Sequence, residues 1–221
     1  IALDFEGIGN TAISHFYNGG TDDSGKAGIN YGIYFSNDAF GLIDSDEGFA
    51  FSGRFANEPS GITALIFQES GVAIMNVTAG FDSAFSLSYS SSADVIIRIF
   101  DGLDGTGTEL ASFNLVTNYK NNNCTGDPDP KDFYCHWDKV GVTFEGKAMS
   151  VVFEGAPAFT FYDDITLGSD LMSECKKDLQ WHRRNRRVDN SSSLDHAALH
   201  SECKQFRWYR QWYRRNRHSF R

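Results

Sequence analysis

The 221 residues contain no apolar run approaching the ~18 that a membrane-spanning helix needs, so no span is expected. Basic side chains are scarce up to Gly168: residues 1–168 hold 7 of them against 23 acidic ones, a net of −16. Histidine in that stretch is limited to His15 and His136, and no serine-centred nucleophile motif stands out. Glu58 beside Pro59 could be called an acid, but the sequence shows no second catalytic residue to go with it, so catalysis is not expected. Methionine numbers only 3 while glycine numbers 21, a balance that suits a turn-rich β domain better than a helical one. A hydrophobic share of 41% with 19 Phe excludes disorder as the default reading. After Gly168 the charge reverses: residues 169–221 carry 13 basic and 6 acidic groups, a net of +7 within a total of −9. An acidic body joined to a basic tail invites head-to-tail association.

Short apolar segments bounded by Gly, Asn, Asp and Ser recur through the body, and each reads as a strand. Strands are expected over 2–7, 13–17, 31–36, 49–55, 63–68, 72–77, 81–90, 95–100, 109–116, 140–144, 148–153 and 159–167. In 81–90 the alternation is nearly strict, with Phe81, Phe85, Leu87 and Tyr89 on one face and small or polar residues on the other. Val95-Ile-Ile-Arg-Ile-Phe100 is the most apolar strand and is expected mid-sheet. Asp101-Gly-Leu-Asp-Gly-Thr-Gly107 reads as a hairpin loop. No helical period precedes residue 169. Together these predict a mainly β protein: an antiparallel, jelly-roll-like β-sandwich over 1–168 with a C-terminal helical tail over 169–221.

The chain begins at Ile1, as a mature protein does once a signal segment has been removed. Asn76-Val-Thr78, Asn123-Cys-Thr125 and Asn190-Ser-Ser192 are N-glycosylation sequons, so Asn76, Asn123 and Asn190 are candidate glycan sites. Cys124 and Cys135 bound one short polar loop, which makes them a natural bridge worth about 3 kcal/mol of loop entropy. Two other pairings are also compatible with the sequence. Paired cysteines and sequons point to secretion.

Leu3-Asp-Phe-Glu-Gly-Ile-Gly-Asn10, Phe16-Tyr-Asn-Gly-Gly-Thr21, Phe55-Ala-Asn-Glu-Pro-Ser60, the Asp101–Gly107 loop and Phe161-Tyr-Asp-Asp-Ile-Thr-Leu-Gly168 carry a family likeness. Residues 1–168 resemble the exported β-sandwich domain of bacterial PEP-CTERM surface proteins. The resemblance implies export and display at a cell surface or in an extracellular matrix, and implies no activity. The family's Pro-Glu-Pro sorting motif, membrane span and Arg cluster do not follow Gly168 in that form.

Two adjacent carboxylates, Asp163 and Asp164, inside a closing strand are costly unless a cation or several donors meet them. With Glu6 they resemble the structural calcium site of carbohydrate-binding jelly rolls, where a Glu near the first strand meets an Asp near the last. A bound Ca²⁺ would take such hard oxygens. The alternative is a bulge at which one carboxylate faces solvent and the other accepts backbone N–H bonds. Asp44-Ser-Asp-Glu47 and the pair Asp101 and Asp104 read as turn residues.

The tail repeats itself. Ser173-Glu-Cys-Lys176 recurs as Ser201-Glu-Cys-Lys204, and Gln180-Trp-His-Arg-Arg-Asn-Arg186 as Gln211-Trp-Tyr-Arg-Arg-Asn-Arg217. Two helices broken at Asp189-Asn-Ser-Ser-Ser193 would form a hairpin joined by a Cys175–Cys203 bridge. His196 and His200 share a helix face at a spacing zinc uses, with His182 and His218 nearby; solvated helix histidines are the simpler reading. Phe206, Trp208, Tyr209, Arg210, Trp212, Tyr213 and Arg214 spread rings and guanidinium groups over more than one face, which calls for burial against a second subunit.

The first expectation is therefore a secreted, glycosylated, non-catalytic structural protein that assembles with other copies of itself through this tail, as a filament or layer. The alternative is a calcium-stabilised carbohydrate-binding module with Tyr31, Tyr34, Tyr134 or Trp137 stacked on glycans. A membrane-active defence protein is the third reading. Nucleic acid is a poor fit to an extracellular chain, and a membrane surface is not the expected partner.

Overall fold

The computed structural model describes residues 1–45, 53–69, 71–120 and 133–168. The chain divides into two units, Ile1–Ser169 and Asp170–Arg221, and every described residue belongs to the first. The expected tail hairpin, the Cys175–Cys203 bridge and the assembly residues Phe206 to Arg214 lie outside the described residues.

Among the described residues ten strands form one sheet. They are β1 (Ala2–Leu3), β2 (Thr11–Ala12), β3 (Ile33–Phe35), β4 (Ala39–Ile43), β5 (Thr63–Phe67), β6 (Gly71–Ser91), β7 (Val95–Phe100), β8 (Glu109–Leu115), β9 (Asp138–Gly155) and β10 (Thr160–Leu167). The order is β2-β4-β5-β10-β6-β9-β7-β8, with β1 added on β10 and β3 on β6. Pairing between strands is antiparallel throughout.

Two long strands replace four expected short ones. β6 runs through 21 residues and β9 through 18. Their mutual register shifts between Asn76 and Phe81 and again between Asp82 and Ala84. Gly80 and Ser83 sit at φ 66° and 76° in those shifts. Extra residues in one strand of a pair bend it, so each long strand curves instead of ending. The curvature folds the sheet over on itself. Phe113 on β8 is three places from β6 in strand order, a flat separation of about 14 Å, yet its ring centroid lies 6.3 Å from that of Phe85 on β6. The Tyr89 hydroxyl closes the same gap, accepting from Val116 N at 3.3 Å and donating to Val116 O at 3.2 Å. The result is a β-sandwich.

Between its layers lies one large aromatic core. Phe67 is fully buried, with the rings of Phe35, Phe153 and Tyr162 at 6.4, 5.0 and 5.7 Å. A smaller core gathers Phe55, Ala64 and Phe161, flanked by Tyr134 and Trp137. The ends of the unit meet at one edge: Ile1 N donates to Leu167 O at 3.0 Å and Leu167 N to Ile1 O at 2.8 Å.

Several expected elements change. Residues 13–17 form turns, because Ser14 takes φ 48° and Phe16 N bonds back to Ile13 O, which buries Ile13, Phe16 and Tyr17 together. β7 is flanked by β9 and β8 and lies next to the sheet edge; the centre belongs to β6. Phe159 leaves the pleat of the closing strand in a 3-10 turn, Pro157–Phe159, and is 52% exposed. Of the expected strand 49–55, residues 49–52 lie outside the described residues.

Candidate functional site

The closing strand carries a bulge between Asp163 and Thr166, with Asp164 at φ 49°. The bulge turns Asp163 inward, where it is fully buried, and leaves Asp164 partly exposed. Asp163 accepts from Ser60 N at 3.0 Å, from Ser60 Oγ at 3.1 and 3.2 Å, and from Asp164 N at 2.7 Å. Glu6 grips the next residues of the same turn, its Oε1 accepting from Ile62 N at 3.0 Å and Thr63 N at 2.9 Å. Gly61 sits between the two at φ 50°, where an added Cβ would fall 2.0 Å from the Glu6 carboxyl carbon. Two carboxylates thus brace one tight turn, 60–63. Burial first, and then the neighbouring Asp164 charge, pushes the Asp163 carboxyl up to about 8. The N–H donors lower it only in part.

Oxygens of Glu6 and Asp163 that were expected on calcium are thus bonded to backbone donors. Among the described residues no group of three His, Cys, Asp or Glu side chains is placed to hold a metal ion.

Beside the brace opens a cleft of about 720 Å³. Asp4, Glu6, Tyr17, Lys26, Ile29 and Tyr31 are among the residues that line it. Tyr31 stacks on Tyr17, with centroids 6.2 Å apart and planes inclined by 25°. The Tyr17 hydroxyl accepts from Phe5 N at 3.1 Å, which fixes the inner ring. Desolvation, reinforced by Asp4, holds that phenol above its usual range, so it stays neutral. Lys26 Nζ donates to Gly7 O at 3.0 Å, and Lys26 N donates to Asp22 at 2.8 Å, tying the 22–26 turn to the first strand's exit. Gly28 is required at the rim, since a Cβ there would meet the Phe16 ring at 2.4 Å. Ile29 stands 63% exposed beside it.

The other rings proposed for ligand stacking do not line this cleft. Trp137 donates its indole N–H to Ala56 O at 2.9 Å and packs edge-on to Phe55. Tyr134 packs on Phe161 at 4.8 Å, with its hydroxyl 2.8 Å from Ser92 Oγ. Tyr34 is half-buried on β3. What sequence reading missed is that 2–7, 16–17 and 26–31 converge. Tyr17 and Tyr31 flanking a glycine-rich turn were its one visible sign.

Asn76 is 3% exposed on β6. Its Nδ2 donates to Asp104 Oδ1 at 2.8 Å and its Oδ1 accepts from Asp104 N at 2.8 Å. The acceptor nitrogen is therefore committed to a buried bond, contrary to the expectation of a glycan there. Glycosidase-sensitive mass on natively sourced protein is expected to map away from Asn76; a glycopeptide spanning it would overturn this placement. Asn123 and Asn190 lie outside the described residues. Cys135 is buried, and its expected partner Cys124 lies outside them as well.

No family model matches the chain, and no curated protein matches it. Among solved structures, a family 6 carbohydrate-binding module is similar at 13% identity and TM-score 0.36, over 62% of this chain and 87% of that one. The K2 cleaved adhesin domain of Lys-gingipain is similar at 10% identity and TM-score 0.40, over 62% and 88%. The Clostridium stercorarium module CsCBM6-3, solved with cellobiose, is similar at 14% identity and TM-score 0.33, over 59% and 93%. TM-scores this low describe shared sheet architecture at most.

Proposed function

We propose that the protein is a non-catalytic saccharide-binding module, with its ligand in the cleft between residues 2–7 and 26–31. The observation that carries this reading is Tyr31, a half-buried ring held against Tyr17 at the mouth of the cleft. A sugar ring presents an apolar C–H face and a rim of hydroxyls. Tyr31 and Ile29 supply apolar surface for the face, while Asp4, Glu6 and Lys26 supply acceptors and a donor for the rim. A concave site with an aromatic wall and a few placed polar groups suits a small polar ligand of this shape.

Titration against a panel of neutral oligosaccharides tests it. Tyr31→Ala is expected to weaken binding by about tenfold or more, the loss of a buried aromatic anchor. Unchanged affinity in that variant, or no binding by the unaltered protein to any of the panel, would remove the reading.

Export belongs to the same proposal, resting on the sequons and cysteines; among the described residues no helix is long and apolar enough to cross a membrane. A structural calcium ion at Glu6, Asp163 and Asp164 would stabilise the turn 60–63 and leave the sugar to the cleft. For assembly through the tail the charge split alone speaks, and particle size in native buffer tests it.

A further inference from the structure

Three segments are laced together at another part of the sandwich. Phe133 N and Tyr134 N donate to Arg54 O at 3.2 and 3.1 Å, and Cys135 N and His136 N donate to Tyr119 O at 2.8 and 3.1 Å. Tyr119 and Tyr134 lie 5.5 Å apart, Tyr134 is backed by buried Phe161, and Phe133, next to Tyr134 in the chain, is 50% exposed. None of these residues lines the cleft.

Two of these rings carry a cation. The Arg54 guanidinium carbon is 6.0 Å from the Phe133 ring centroid, and the Lys120 ammonium is 5.0 Å from that of Tyr119. They are two of only 7 basic side chains in residues 1–168, against 23 acidic ones. In a body of that composition a cation can pair with a carboxylate. Arg98 does, between Glu109 and Glu154. Among the described residues the one remaining ion pair is His136 with Asp138; Arg54 and Lys120 lie over rings, and like Lys26, Lys139 and Lys147 they have no carboxylate at ion-pair distance there.

We propose that this cluster of rings and cations is a second binding site, for an acidic saccharide bearing carboxylate or sulfate groups. The guanidinium fork matches a carboxylate or sulfate in two-point contact, and a cation held over a ring is already partly oriented for it. The exposed Phe133 face offers the apolar surface on which a sugar ring lies. Single-stranded nucleic acid fits less well. It needs several open ring faces for successive bases, and here Phe133 alone is as much as half exposed. The site rests on its own contacts and stands or falls apart from the cleft.

The test uses the full chain, so that the basic tail is present in every sample. Binding is measured to polygalacturonate, dextran sulfate, neutral dextran and single-stranded oligo-dT. Arg54→Gln with Lys120→Gln is compared with a control of equal charge loss, Lys139→Gln with Lys147→Gln, both exposed lysines. The first pair is expected to weaken binding to polygalacturonate, dextran sulfate or both by about tenfold or more, and the control by less than about twofold. Phe133→Ala should weaken the same probe, and Tyr31→Ala should leave it unchanged. Unaltered melting midpoints confirm that these surface variants fold. An equal loss in the control would reduce the effect to bulk charge. Unchanged binding in the Arg54 and Lys120 variant, no preference of the unaltered protein for either acidic probe over neutral dextran, or tighter oligo-dT binding lost in the same variant would each overturn the proposal.

Discussion

In chelator-containing buffer the unfolding midpoint is expected to fall as pH rises from about 5 to about 9, and Asp163→Asn should flatten much of that fall. Asp163 is fully buried, and its folded carboxyl is pushed from 3.8 up to about 8. The folded chain thus holds this proton more tightly than the unfolded chain does. The associated stability is complete below about pH 4, declines as pH rises, and is gone once pH passes the folded value near 8. Each pH unit within that window removes up to about 1.4 kcal/mol, so the group alone accounts for a few kcal/mol. A body with net charge −16 also repels itself at high pH, and the comparison with Asp163→Asn separates the two causes. Ser60 N and Asp164 N bond to different oxygens of Asp163, so the asparagine, with one carbonyl, keeps an acceptor for only one of them; the comparison is therefore read from the slope with pH and not from the midpoint itself. A slope unchanged by that substitution would mean that Asp163 is ionised in the folded chain. Repeating the titration with calcium addresses the ion: at about 100 times its Kd it should add ~2.7 kcal/mol to the unaltered protein. An identical midpoint with and without calcium would leave the carboxylates as a brace alone.

Phe67→Ala is expected to cost about 3–5 kcal/mol in urea unfolding, against a few tenths for Phe159→Ala. Phe67 is fully buried among three rings drawn from β3, β9 and β10, while Phe159 is 52% exposed on a 3-10 turn. Truncating Phe67 opens a cavity that the surrounding strands, tied by ladder bonds, cannot collapse to fill. A cost below about 1 kcal/mol would contradict a sheet closed around that ring.

Alternation made the central strands legible. Phe85, Leu87 and Tyr89 lie in the core as their period requires, and β7 spans the residues its apolar run marked. Ser86, Ser88 and Ser90 are buried too, because β6 is covered on both faces, and small polar residues give no warning of that. β4 escaped notice because Gly41 interrupts it. A Cβ at that position would meet Ile8 Cγ2 at 2.6 Å, so the glycine serves close packing and is no turn signal. The bends within β6 and β9 resembled strand ends for the same reason: glycine and positive φ mark both. At the site, the Asp163–Asp164 pair announced something costly, but its partner, the turn at Ser60, is 103 residues away in sequence. The convergence of 2–7 with 26–31 depends likewise on how β1 lies on β10, which no local pattern encodes.

The paired ends of the sandwich have a mechanical consequence. Ile1 and Leu167 exchange both of their hydrogen bonds at one corner, with Ala2 and Leu3 opposite Thr166 and Ile165. A pull applied through Ile1 and Gly168 meets those bonds one at a time, in the manner of a zipper. Strands loaded lengthwise would share the force across many bonds at once. β1 therefore peels first, at low tension, and the buried bond from Phe5 N to the Tyr17 hydroxyl, followed by the Glu6 grip on the turn 60–63, is next in line to resist.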